Sequence, residues 1–107
     1  MMAGALTPTE VIAAWKAGSD FVKIFPCAQV GGDSYIKALK GPFPQIRLLP
    51  TGGVNLTTLA EFIKAGACAV GVGGSLVEPK ALQSGDMNRI RELAGQYMQA
   101  IRSARSA

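Results

Sequence analysis

The feature that most constrains this chain is a regular alternation of amphipathic stretches with short apolar runs. The first stretch opens at Thr7-Pro8-Thr9-Glu10, with Thr7 as N-cap, Pro8 in the first turn and Glu10 closing a capping box. Val11, Ile12 and Trp15 supply its apolar face and Gly18 ends it. Residues 21–25, Phe-Val-Lys-Ile-Phe, then read as a strand stopped by Pro26. A Gly31-Gly32 loop leads to a helix around residues 34–39, which Gly41-Pro42 breaks, and residues 46–49 read as the next strand. Asn55 caps a helix bearing Leu56, Leu59, Phe62 and Ile63, ended by Gly66, and residues 68–72 form a third apolar run. After an irregular stretch, Asp86 opens a last helix with a stripe of Met87, Ile90, Leu93, Ala94, Tyr97, Met98 and Ile101. Its end after Ile101 is expected to fray.

Helices alternating with strands imply parallel pairing through right-handed crossovers, with ligands bound at the C-terminal strand ends. A complete (β/α)₈ barrel takes about 250 residues, and this chain has 107. The expected fold is therefore α/β, with about three parallel strands and helices, too short for a complete barrel. Residues 1–107 would form one unit, with residues 86–107 as its terminal helix. Three strands cannot close a barrel and would leave strand edges open, so association with another copy as a homo-oligomer is expected, the alternatives being an open α/β layer or poor order. A faint internal repeat at an offset of 48 pairs Lys16-Ala17-Gly18 with Lys64-Ala65-Gly66 and Val22 with Val70. Generic strand–helix grammar accounts for it. Within it, Lys23 falls opposite Gly71.

Composition removes several function classes. The net charge of +4 comes without a dense basic run interleaved with aromatics, which argues against nucleic-acid binding. Histidine is absent and the two cysteines, Cys27 and Cys68, form no close pair. That excludes the common zinc sites and any histidine-dependent triad; no metal or other cofactor is expected. No apolar run approaches the roughly 20 residues that span a bilayer, and no leader-like segment is present, so a cytoplasmic protein without membrane contact is expected. The cysteines are most simply small core residues.

Lys23 stands out because it interrupts an apolar strand between Val22 and Ile24. Alternation places it on the face of Phe21 and Phe25. A lysine attacks a carbonyl only as the neutral amine, which desolvation beside aromatic rings favours. The plainer reading is a lysine with its stem packed and its head in water; buried lysines are rare. Thr51-Gly52-Gly53 and Gly73-Gly74-Ser75 follow successive strands. Such glycines let backbone amides approach an anion closely, aided by a helix start, so the pair points to phosphate; taken singly, either would be only a tight turn. Cys27 has no activating partner in sequence and is taken as inert. Of the carboxylates, Glu10, Asp20, Glu61 and Glu92 read as helical, capping or strand-start residues, and none clearly sits at a strand C-terminus. No general base is evident.

The run VKIFPCAQVGGDSYIKALKGPFPQIRLLPTGGVN, with GVGGSLV behind it, resembles the 2-keto-3-deoxy-6-phosphogluconate (KDPG) / 4-hydroxy-2-oxoglutarate (KHG) aldolase family. Gly4 and the TPTE segment fit the family's stretch after its fifth strand. The resemblance implies a class I lyase in which Lys23 forms the Schiff base and Phe25 and Pro26 shape a pyruvate pocket. Thr51, Gly52 and Gly53, with Gly74 and Ser75, would hold the substrate phosphate. The implied partners are pyruvate and a phosphorylated keto sugar acid, cleaved reversibly to pyruvate and glyceraldehyde 3-phosphate in Entner–Doudoroff carbohydrate metabolism. It also implies a partial (β/α)₈ TIM barrel, completed by self-association, and that the family's general-base glutamate and its carboxylate-gripping arginine belong to the barrel half that this chain lacks.

Overall fold

The computed structural model describes residues 1–106. Its centre is a parallel sheet of β1 (Met2–Ala5), β2 (Phe21–Ile24) and β3 (Leu48–Pro50), in that order. The register sets Gly4, Lys23 and Leu49 in one row across the strands. Helix α1 (Pro8–Lys16) links β1 to β2, and α2 (Asp33–Lys40) links β2 to β3. Helices α3 (Leu59–Lys64), α4 (Pro79–Ser84) and α5 (Met87–Ser106) follow.

Two local devices start and stop α1 as the sequence suggests. The Thr7 hydroxyl accepts from the Glu10 amide while the Glu10 carboxylate accepts from the Thr7 amide, a reciprocal capping box. Gly18, at φ +99°, turns the chain toward β2.

The core lies on one side of the sheet. Val22, Ile24 and Leu48 are fully buried and meet Val11, Ile36, Leu39, Leu59 and Phe62 from the helices. The other face is open: Met2 is 60% exposed and Phe25 56%, while Lys23 and Leu49 are half-buried. Parallel sheets are ordinarily covered on both faces.

The structure corrects several sequence expectations. The first strand, β1, carries no strand signal of its own, because Met-Ala-Gly-Ala has no β-branched or aromatic residue. It is held by pairing with β2 and by the buried Ser19, whose hydroxyl accepts from the Ala3 amide at 2.9 Å. The second expected strand begins at Leu48 rather than residue 46 and runs to Pro50. Residues 68–72 form no regular strand and join the sheet by one bridge, Gly71 to Thr51. The Cys68 amide bonds Leu48 O and the Gly71 amide bonds Pro50 O. Three steps on one side therefore span two on the other, a bulge that breaks the ladder. The stretch before Asp86 contains α4, opened by Pro79 and stopped by Gly85 in the left-handed region. Asn55 Oδ1 does cap its segment, accepting from the Thr57 and Thr58 amides, but regular helix begins only at Leu59.

The tail does not fray as expected. α5 runs on through Ser106, with Ala104 buried and the Arg105 guanidinium donating to Cys68 O at 2.7 Å. A tertiary contact supplies what propensity alone does not. Arg105→Ala is expected to cost about 1 kcal/mol and to speed amide hydrogen exchange selectively in the last turn of α5.

Candidate functional site

Three loops rise from the C-terminal ends of the strands. The first, after β1, passes through Leu6 into the capped start of α1. The second begins at Phe25 and Pro26, joined by a cis peptide bond, and continues through Cys27 into a short 3₁₀ turn, Ala28–Val30. The third holds Thr51, Gly52 and Gly53, with the Gly73-Gly74-Ser75 turn beside it.

The second and third loops are fastened together. The Cys27 amide donates to Thr51 O at 2.9 Å and the Ala28 amide to Gly52 O at 3.3 Å. Gly52 and Gly53 take φ of +93° and +77°, and a Cβ on Gly53 would stand 2.4 Å from Ala28 Cβ. Glycine is required there by both backbone angle and space. The Thr58 hydroxyl then holds Gly53 O at 2.8 Å. On the far side, Gly73 O accepts from the Leu76 and Val77 amides, and the Tyr97 hydroxyl of α5 reaches Ser75 O at 3.4 Å.

Lys23 projects onto the open face, as alternation requires, with Nζ 5.4 Å from the centre of the Phe25 ring. That distance lies within cation–π range and orients the side chain toward the C-terminal end of β2. Its row neighbour Gly4 has no atom within 4 Å of where a Cβ would stand, so space is open beside the amine. Lys23 lines two adjoining clefts. One is bounded by Gly4, Ala5, Leu6, Glu10 and Phe25. The other, of about 600 Å³, is bounded by Leu49, Thr51, Val70, Gly71, Val72 and Gly73.

A third hollow of about 240 Å³ gathers Phe25, Thr51, Gly52, Gly53, Gly74 and Ser75. Thr51, Gly71 and Gly73 line both this hollow and the larger Lys23 cleft. A continuous surface thus leads from the amine to the glycine loops. Thr51 Oγ1 is buried and, among the described residues, has no hydrogen-bond partner. Gly71 makes room for it, since a Cβ there would stand 2.3 Å from that oxygen. Unpartnered buried hydroxyls are uncommon, and this one borders both cavities.

The structure therefore brings together Lys23, Phe25, Thr51, Gly52, Gly53, Gly74 and Ser75. Pro26 sits in the same turn without lining the hollow. The expected help from helix starts is absent: α3 begins six residues after Gly53 and α4 four after Ser75. Any anion grip rests on the loop amides and hydroxyls. Glu10 caps α1 as its sequence predicts, and its position beyond the end of β1 also places it on the wall of a Lys23 cleft. The missing signal was β1 itself, without which that strand end could not be located.

Residues 1–93 match the family described as KDPG and KHG aldolase. The chain belongs to this aldolase family. The 2-dehydro-3-deoxy-phosphogluconate aldolase of Pseudomonas aeruginosa is 35% identical over 100 residues, covering 92% of this chain and 45% of the relative. A native KDPGal structure superposes with a TM-score of 0.86 at 33% identity, over 97% of this chain and 48% of that one. A KDPG aldolase of Legionella pneumophila, with pyruvate captured as a covalent carbinolamine intermediate, superposes with a TM-score of 0.78 at 30% identity, over 86% and 45%. The chain spans about half the length of the aldolases it matches. Its α/β architecture of parallel strands and helices is theirs. Among the described residues, no helix is long and apolar enough to cross a membrane.

Cys27 adjoins this candidate site and is held as the neutral thiol. It is buried, its thiol faces Gly32 O at 3.6 Å, and burial followed by the nearby Asp33 charge pushes its pKa up to about 11. The folded state favours the neutral thiol, so stability is kept below the ordinary thiol pKa and lost as pH rises toward 11. Tyr35, also raised mainly by burial, acts in the same direction. Cys27→Ala is expected to flatten the fall in denaturation midpoint between about pH 9 and 11, read against the parent chain. Iodoacetamide is expected to spare Cys27 at neutral pH until the chain is unfolded.

Proposed function

We propose that this chain carries the Schiff-base half of a class I aldolase site, with Lys23 as the imine-forming residue. The observation that carries the reading is the continuous surface from the Lys23 amine, past the unpartnered Thr51 hydroxyl, to the paired glycine loops. A keto acid would place its carbonyl at Lys23 between Phe25 and Leu49, with Phe25 and Pro26 closing the pyruvate end. The amine attacks the carbonyl carbon, and loss of water from the carbinolamine leaves the imine. A phosphate at the far end would meet Thr51, Gly52, Gly53, Gly74 and Ser75. Among the described residues, the amides of Gly52, Gly53, Gly74 and Ser75 have no protein acceptor. The substrate class is a phosphorylated keto sugar acid such as KDPG, yielding pyruvate and glyceraldehyde 3-phosphate. The pyruvate carbinolamine in the Legionella relative supports this chemistry.

The open sheet face supports a second part of the proposal. Exposed Met2 and Phe25, with half-buried Leu49, stand where a parallel sheet is ordinarily covered. A second copy of this chain, completing a half-barrel, is the partner we propose. The same face favours an alternative: a phosphate-binding or self-associating half-barrel module without turnover.

Borohydride reduction in the presence of pyruvate separates these readings. The catalytic reading expects a stable pyruvate adduct on the peptide containing Lys23, absent in Lys23→Arg, and aldol cleavage of KDPG in a coupled assay. No adduct, or one that survives Lys23→Arg, overturns it. A solution mass of two or more chains is expected at working concentration, and a monomer would refute the self-completed barrel. An oligomer that binds inorganic phosphate but forms no adduct would instead establish the module.

A further inference from the structure

Residues 68–75 supply one wall of the larger Lys23 cleft and part of the hollow at the loop ends. The sheet holds this segment at its start only. The Cys68 amide bonds Leu48 O, and Gly71 makes the single bridge to Thr51. No ladder continues beyond Gly71. Gly73, Gly74 and Ser75 are exposed. The bonds from the Leu76 and Val77 amides to Gly73 O wind the turn but do not set where it stands.

Helix α5 supplies what the sheet does not. The Arg105 guanidinium donates to Cys68 O at 2.7 Å, at the entry of the segment, and the Tyr97 hydroxyl donates to Ser75 O at 3.4 Å, at its end. Among the described residues, the Tyr97 bond is the one hydrogen bond that reaches residues 72–77 from outside them. Tyr97 is 5% exposed and belongs to the core, on the buried face of α5 with Leu93 and Ala104. A packed ring has few torsions left, so its hydroxyl stands at one place. Leu76 packs against the same core, which anchors the turn but gives its carbonyls no direction. In a wound turn the amides point opposite to the carbonyls. The carbonyls of Gly73 and Ser75 are taken up within the protein, whereas the amides of Gly74 and Ser75 have no protein acceptor among the described residues. Both of these residues line the hollow.

We propose that Tyr97 is a positioning residue for the phosphate end of the site. Its hydroxyl holds Ser75 O, and through that carbonyl it sets the turn so that the Gly74 and Ser75 amides and the Ser75 hydroxyl meet a phosphate monoester. The inference rests on the reading of the hollow as the phosphate end, and not on the chemistry at Lys23. Tyr97 itself touches no ligand. The long terminal helix is thereby part of the binding apparatus as well as of the core.

Tyr97→Phe keeps the packed ring and removes only the hydroxyl. The full chain and its variants are titrated with inorganic phosphate by calorimetry, and pyruvate trapping by borohydride is followed at Lys23. Tyr97→Phe is expected to bind phosphate about fivefold more weakly and to trap pyruvate as the parent does. Arg105→Ala loosens α5 at its far end without touching Ser75, and is expected to keep phosphate affinity within about twofold of the parent. A Tyr97→Phe chain that melts earlier but binds phosphate as the parent does overturns the inference and leaves the hydroxyl a purely structural role. Equal weakening of phosphate binding in Arg105→Ala overturns it too, since the effect would then come from general loosening of α5. A parent chain that binds no phosphate overturns the phosphate reading of the hollow, and this inference with it.

Discussion

Everything in this molecule depends on which face of β2 is buried. Val22 and Ile24 are sealed beneath the helices with no exposed surface. Each such side chain contributes roughly 1.5–3 kcal/mol when fully buried. Strand alternation then leaves Phe21 and Lys23 no place but the opposite face. A lysine in the helix-facing row would carry its charge into the core, at a cost that no partner there offsets. The amine is thus aimed by two neighbours that never touch it. A slip of one residue in the pairing of β2 would reverse both outcomes.

The second organising constraint is space left by missing side chains. Gly4 lies beside Lys23 in the row and leaves the amine unobstructed. Gly71 lies across from Thr51 and admits its hydroxyl, which any side chain at that position would strike. Glycine 53 accommodates the turn beneath it, where Ala28 crosses. Each vacancy is small, but together they connect the two clefts beside Lys23 with the hollow at the loops.

Much of this was legible in the residues. The Thr7–Glu10 box, the strand around Lys23, its face and the loop-end glycines all follow from local rules with short reach. What could not be read depends on distant contacts. β1 is a strand because β2 and Ser19 hold it, not because Met-Ala-Gly-Ala prefers extension. The register of residues 68–72 is broken by a bulge set against β3, and the last turn of α5 is kept by a carbonyl 37 positions away. Glu10 is legible in the sequence in one respect only. Its capping role is written in four consecutive residues, whereas its nearness to Lys23 exists only once β1 and β2 lie side by side.

The two backbone bonds that tie Cys27 and Ala28 to Thr51 and Gly52 have a mechanical consequence. They join the turn following the lysine strand to the loop at the far end of the cavity, so the two ends cannot drift apart independently. A ligand touching both would be held between the jaws of a fixed caliper. Such a device measures length: a molecule too short reaches one jaw, and one too long cannot seat in either. Discrimination among ligands with similar end groups would then fall to the number of atoms between them.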